Sequence, residues 1–374
     1  MMRLSNPLTY RGKRDHRLSN AGRLRALRSK SIKAFALLTV LSSCSSEKSA
    51  PEELDKLIAE MSQRVEATTV KEKRGDLIPR FNQPKTVACL TGTFTVEENI
   101  STDLKHGLFA QAGTYPVTAR FANATKWDDS EKDLRGLSLS VSNIPSETLW
   151  GKTGQQDFLL NSHPALFVAT PEEFLKFMRA RQEGDKLSLV KFFLSPFDPH
   201  IGSLITVLKA RGKHKSPLDI RYWSTVPSAL DDRITGAEQI PADVRAVKYS
   251  VRSCSNYKTE QVVEPGENQL RKAITAHLDQ APACLDFSVQ LQTNSEDMPL
   301  EDASVVWDEA ASPFISVAKI NFDDQPVEDP ELINNCENLS FNPWQSLPAH
   351  APLGRMNAVR KAVYAKGAYQ RANR

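Results

Sequence analysis

The 374-residue sequence contains no GxGxxG, P-loop, HExxH or GxSxG. The nucleotide-binding, zinc-protease and serine-hydrolase readings therefore have little support. Its five cysteines form no CxxC and no Cys/His spacing of the metal-binding kind, which argues against a structural zinc site. No internal repeat is evident, so a repeat array has no support. The apolar run Ala34–Leu41 is far too short to cross a bilayer. Composition is ordinary for a globular chain, with 40% hydrophobic and 25% charged residues, which excludes a wholly disordered or collagen-like protein.

The formal charge of +3 hides an uneven layout. Residues 1–43 carry ten basic residues and a single acid, Asp15, whereas the chain from residue 44 onward holds 38 bases and 44 acids. The body is thus net acidic, and the basic overall balance gives no reason to expect a nucleic-acid partner. A basic stretch, the short apolar run and then Ser42-Ser43-Cys44 have the order of a secretory signal. Leu41-Ser42-Ser43-Cys44 also resembles the bacterial lipobox. That likeness implies a lipid anchor on Cys44 and a place in the bacterial cell envelope, periplasm-facing or at the surface. Residues 1–43 are then the leader, 44–77 a polar tether with a helical arm, and 78–374 the core. Cys89, Cys254, Cys284 and Cys336 could pair in an exported protein or remain buried thiols.

Within 52–66, apolar Leu54, Leu57, Ile58, Met61 and Val65 recur at helical spacing, which predicts an amphipathic arm packed on the body. The period then changes to two. Residues 115–122, 137–142, 247–252 and 285–292 alternate apolar and polar positions and predict half-buried antiparallel strands. Their spread along the chain suggests one barrel-like sheet rather than βαβ units. Thr170-Pro171-Glu172-Glu173 is a helix start, with a cap, a first-turn proline and a capping-box acid. An apolar helical region follows over 188–210, broken by Pro196 and Pro199, and a last helix starts after Pro352-Leu353-Gly354.

On that last helix Arg360 lies one turn before Tyr364, and Arg371 follows seven residues later. A guanidinium beside a phenol favours the phenolate. A phenolate is a good axial ligand for ferric haem. Such spacing alone is commonly a surface pair. Further motifs add to it. Arg80-x-x-Gln83-Pro84-Lys85, Pro116-x-x-x-Arg120-Phe121, Asp133-x-Arg135-Gly136 and Asp157-x-x-x-Asn161-x-x-Pro164-x-x-Phe167 occur in order, with Phe174 thirteen residues after Asn161. Phe341-Asn342-Pro343-Trp344 precedes the final helix. Together these resemble the catalase superfamily, in its small catalase-like form, over roughly residues 78–374.

The resemblance implies an α+β fold: a catalase-type antiparallel β-barrel, surrounding helices and a C-terminal haem-ligating helix. It implies haem b, with Tyr364 as the iron ligand and Arg360 as its activator. Arg80, Arg120 and Arg371 would hold the propionates, Phe174 would stack on the porphyrin, and Asn161 would hydrogen-bond the peroxide. Asp133, Arg135 and Gly136 read as structural, an ion pair and a tight strand entry. Gln83 stands where catalases carry the distal His. A Gln amide does not titrate near neutral pH, so the acid/base step is missing and catalase turnover is expected to be weak. His163 shares a strand face with Asn161 and reads mainly as a hydrogen-bonded barrel residue, and His106 reads as exposed. The implied substrate is hydrogen peroxide or an organic hydroperoxide, with an electron donor that no pattern identifies. Alternatives are a non-enzymatic haem-binding lipoprotein and a haem isomerase of lipid hydroperoxides. Homo-oligomerisation is left open by the short arms.

Overall fold

The computed structural model describes residues 50–197, 199–254 and 263–373. The leader and Cys44 lie outside the described residues. The strands are β1 (Lys85–Val96), β2 (Gly113–Asn123), β3 (Arg135–Val141), β4 (Gln156–Asn161), β5 (Tyr222–Trp223), β6 (Ser228–Ala229), β7 (Ala246–Ser253), β8 (Ala283–Leu291) and β9 (Ile315–Phe322), of which β2, β3, β7 and β8 are the four period-two segments. Eight of them close a ring in the order β1-β2-β3-β4-β5-β7-β8-β9, with β9 returning to β1 and β6 adding to β7. Every pairing is antiparallel. Closure leaves no bare sheet edge in the ring.

One strand face fills the barrel. Phe94, Phe158, Tyr249 and Phe287 meet there at ring-centroid separations of 4.7 to 6.4 Å. Along β3 and β7 the other face is covered too, contrary to the half-buried expectation, whereas Thr91, Thr93, Thr114 and Pro116 on β1 and β2 stay exposed. All of β3 except Ser140 is buried, and β7 is buried from Ala246 to Val251. Helices and loops cover the outside, so the polar positions of the alternation are buried too and must be hydrogen-bonded. Arg120, Ser138, Asp157 and Lys248 are among them.

The covering helices are α1 (Ala50–Lys71), α2 (Pro171–Glu183), α3 (Lys186–Leu194), α4 (Ile201–Ala210), α5 (Gln269–Leu278), α6 (Pro330–Asn338) and α7 (Gly354–Ala372). In α1, Leu57, Met61 and Val65 recur every four residues and pack on Phe81, Leu175, Met178 and Val359, which joins α1 to α2 and α7. The Thr170 side chain caps α2 by accepting the Glu173 N–H at 3.3 Å, and Glu173 reaches back to the Ala169 N–H at 2.8 Å. That is one residue earlier than a capping box requires. The four cysteines of the body form two disulfides, Cys89–Cys336 and Cys254–Cys284. The first ties α6 to the outer face of β1.

The segment before α7 fixes that helix on the barrel. Trp344 Nε1 donates to Asn357 O at 2.8 Å, and Asn342 Nδ2 donates to Lys361 O at 3.0 Å. Asn342 N–H in turn donates to Asp157 Oδ2 at 3.0 Å, so strand, loop and helix are held through one asparagine. Asp157 is fully enclosed, and burial pushes its carboxyl up to about 7.

Candidate functional site

β1 to β4 carry the site on their outer face. Along β4, Phe158 and Leu160 point into the barrel, so Asp157, Leu159 and Asn161 point outward. Asn161 is paired in register with Gly136 of β3. Gln83 enters just before β1 with φ 61°, and its amide lies over Gly136. A Cβ at 136 would overlap that amide and push it aside, so glycine leaves the space in which the amide lies. From there Gln83 Nε2 donates to Asn161 Oδ1 at 2.9 Å. The two distal residues named from the motifs are thus brought into direct contact.

The backbone of Gln83 is fixed separately. Its N–H donates to Ala124 O at 3.2 Å, and its carbonyl accepts from Arg120 Nη2 at 2.9 Å. Arg120 Nε donates to Thr86 Oγ1 at 2.8 Å. Arg120 is 1% exposed. Burial, and then the neighbouring charges of Arg80 and Arg371, hold its guanidinium well below the usual arginine range, with Glu337 opposing them. Arg120 therefore feels both of the other arginines assigned to the cofactor edge.

Glu337 at the end of α6 was not foreseen. It accepts from Arg80 Nη1 at 2.6 Å and lies 4.0 Å from Arg120 Nη2. Burial would raise its carboxyl, but the guanidiniums of Arg120 and Arg80 outweigh it and hold the group below the usual range. Arg80 Nη2 also donates to Leu339 O at 2.8 Å, and Arg371 Nη2 reaches the same carbonyl at 3.5 Å. The disulfide explains how Glu337 arrives: Cys89 is paired with Arg120 across β1 and β2, and Cys336 precedes Glu337. The adjacency of Cys336 and Glu337 was the available signal.

On α7, Arg360 lies over the Tyr364 ring at 5.4 Å from its centroid, and Arg360 Nη1 donates to Asn357 Oδ1 at 2.9 Å. Tyr364 is partly buried. A cavity of about 20 Å³ between Arg360, Asn357, Phe158 and Tyr249 has room for roughly one water. Phe174 is a packing residue here. Its ring is 6.0 Å from Phe167 and 6.1 Å from Phe177, and it also touches the clusters around Met61 and Met356.

Two structural readings change. Asp133 does not pair with Arg135 within salt-bridge distance among the described residues. Its carboxylate caps a turn, accepting from Thr125 N–H at 2.7 Å and Lys126 N–H at 2.8 Å. Arg135 instead reaches Asn123 Oδ1 and the carbonyls of Asp129 and Glu131. His106 is partly buried rather than exposed, lying between Asp232 Oδ2 at 2.8 Å and Arg245 Nη1 at 2.9 Å. His163 lies against its own loop, with Nδ1 3.0 Å from Ala165 O. His350 is enclosed and held neutral by burial, its pKa lowered to about 3. Its Nε2 accepts the Leu108 N–H at 2.9 Å, so Nδ1 carries the proton toward Tyr249 Oη at 2.8 Å.

No family model matches the chain, and no curated protein matches it. Solved structures do. A fungal catalase superposes with a TM-score of 0.62 at 14% identity, over 83% of this chain and 62% of that one. Catalase A from Saccharomyces cerevisiae gives 0.56 at 15% identity, over 82% and 62%. A bacterial catalase gives 0.54 at 15% identity, over 92% and 64%. The chain spans less than two thirds of the length of each of these catalases. The eight-stranded antiparallel barrel with its surrounding helices and C-terminal helix is the catalase fold.

Proposed function

We propose that the protein binds haem b in this fold, with Tyr364 as iron ligand, and handles hydrogen peroxide or organic hydroperoxides with weakened catalase turnover. The observation that carries the reading is the arginine cluster. The buried guanidinium of Arg120 and the half-buried one of Arg80 face one carboxylate among the described residues, that of Glu337, and Arg120 also feels Arg371. An excess of buried positive charge at this site suits the carboxylates of a porphyrin edge, where planar guanidinium forks bind well. Bound haem would supply the ferric centre at which a peroxide O–O bond is cleaved.

The chain's own residues then divide the work. Arg80, Arg120 and Arg371 hold the propionates, and Arg360 keeps positive charge beside the Tyr364 ring. Phe174 offers an apolar wall. The distal pair offers a peroxide hydrogen bonds, Asn161 Nδ2 donating and Gln83 Oε1 accepting. It offers no group that can take a proton and return it near neutral pH. The same Gln83–Asn161 bond favours the second reading, a haem-binding protein without turnover. The composition of the leader supports a lipid anchor on Cys44 and a bacterial envelope location.

Titration of the purified chain with haem tests the reading. A Soret band that shifts in Tyr364→Phe is expected. An unchanged spectrum in that variant, or no band at all, refutes the ligand. Oxygen evolution from peroxide on the same preparation separates weak turnover from none.

A further inference from the structure

The apolar region predicted over 188–210 folds as two helices, but half of its apolar side chains face out. On α3, Leu187, Val190 and Leu194 are exposed, at i, i+3 and i+7. On α4, Ile201, Ile205 and Leu208 are exposed, at i, i+4 and i+7, and no residue of α4 is buried. Phe197, in the turn between the helices, is 96% exposed. Each helix therefore presents a continuous apolar stripe to solvent, with an aromatic ring at the tip. Seven large apolar side chains within 22 residues exceed the scatter normal for a soluble surface.

The hairpin is nonetheless well held from beneath. Leu189, Phe192 and Phe193 of α3 pack with Phe167, Phe177 and Ala180, and the His200 ring stacks on Phe192 at 4.5 Å. The outward stripe of α3 is thus a surface on a fixed base, and α4 is joined to it through the His200 ring. Their charge setting is distinctive as well. Residues 186–218 contain six basic residues and one acid, Asp198, in a chain whose body is net acidic. Lys191, Lys209, Lys213 and Lys215 are exposed.

We propose that the α3–α4 hairpin seats on an anionic phospholipid bilayer, its two apolar stripes and Phe197 in the interface and its lysines against the headgroups. Apolar stripes flanked by lysine are the pattern of helices that lie in a membrane interface. The basic rim selects a bilayer over a second copy of this chain, because two copies facing each other through this surface would bring like charges together. Among the described residues no helix is long and apolar enough to span, so the hairpin lies on the membrane rather than through it.

The test uses the full chain with Cys44→Ala, so that no acyl group contributes, and a polarity-sensitive fluorophore on Gly202→Cys. A side chain at 202 meets nothing within 4 Å, so the label leaves packing intact. Ser295→Cys, on an exposed loop, is the control position. The local label is needed because the basic leader could hold the chain on anionic vesicles by itself. With phosphatidylglycerol vesicles the 202 label is expected to shift to the blue and the 295 label to stay unchanged. Adding Leu194→Glu and Ile205→Glu should weaken the 202 response at least tenfold in vesicle concentration, and high salt should weaken it too. No shift at 202 overturns the proposal. So does an equal shift on phosphatidylcholine vesicles, or a shift without vesicles that grows with protein concentration, which assigns the face to a second copy.

Discussion

Neutralising Glu337 tests the arginine cluster directly. Its side chain is 13% exposed and that of Arg80 is 12%, with 2.6 Å between Oε2 and Nη1. Arg120, 1% exposed, lies 4.0 Å away. Removing one partner of a buried ion pair costs about 3–5 kcal/mol, because the remaining charge stays desolvated. Arg80 also donates to the carbonyls of Cys336, Glu337 and Leu339, which soften the loss. Glu337→Gln should therefore destabilise the cofactor-free protein by about 3 kcal/mol at pH 7. Folding depresses the Glu337 carboxyl, so its contribution is present above the unfolded value and is lost as pH falls through the folded one. The difference between parent and variant should shrink in acid. Urea unfolding followed by tryptophan fluorescence from pH 3 to 7 reads it. Haem, whose propionates can replace the lost carboxylate, should recover more stability in Glu337→Gln than in the parent. A loss under about 1 kcal/mol at pH 7, the range of an exposed pair, would refute the buried-pair reasoning. A haem response equal in both proteins would remove the cluster from the propionate role.

Gln83→His should raise oxygen evolution from peroxide by about 10²-fold in the haem-loaded protein, since histidine tolerates the φ of 61° and restores a titrating group; an unchanged rate would mean that position 83 does not serve the reacting peroxide. Asp157 carries the opposite pH signature to Glu337. Burial raises its folded value to about 7, so stability is greatest below its unfolded value and falls as pH rises between the two, by roughly 4 kcal/mol in all. Asp157→Asn should flatten unfolding midpoints between about pH 4 and 7, and an undiminished slope in the variant would show that another group titrates.

Legibility in the sequence followed the range of the interactions. The Thr170 cap, the strands around 115–122 and 285–292, and the final helix are set by residues a few positions apart, so periodicity and local chemistry reveal them. The burial of both strand faces is not local. Ser138 and Lys248 alternate like solvent-facing residues, yet both are buried, Lys248 beneath the loop that carries Val305 and Trp307. Glu337 is further from reach, because a disulfide spanning 247 residues delivers it to Arg80. His106 reads as exposed in a connecting helix before Gly107-Leu108-Phe109, yet Asp232 and Arg245 arrive from elsewhere in the chain to hold it. The α3–α4 region shows the limit of pattern alone. Leu189 and Phe192 face the core while Leu187 and Val190 face solvent, and a sequence apolar on both sides does not say which stripe is which.

The site separates two properties that usually travel together. What holds Gln83 in place is its backbone: the N–H to Ala124 O and the carbonyl taken by Arg120. Neither bond involves the side chain that would do the chemistry. Arg120 is likewise anchored through Thr86 and that carbonyl, so the positive cluster keeps its geometry whichever side chain stands at 83. Gly136 leaves room above the Asn161 pair for a planar side chain, amide or imidazole. In the proposed function, cofactor holding rests on arginines whose supports do not include the distal side chains, whereas turnover rests on one titrating group. A chain can therefore lose peroxide cleavage by a single change at 83 and retain its grip on the cofactor. Changes at Arg80 or Arg120 should instead loosen the cofactor, and turnover with it.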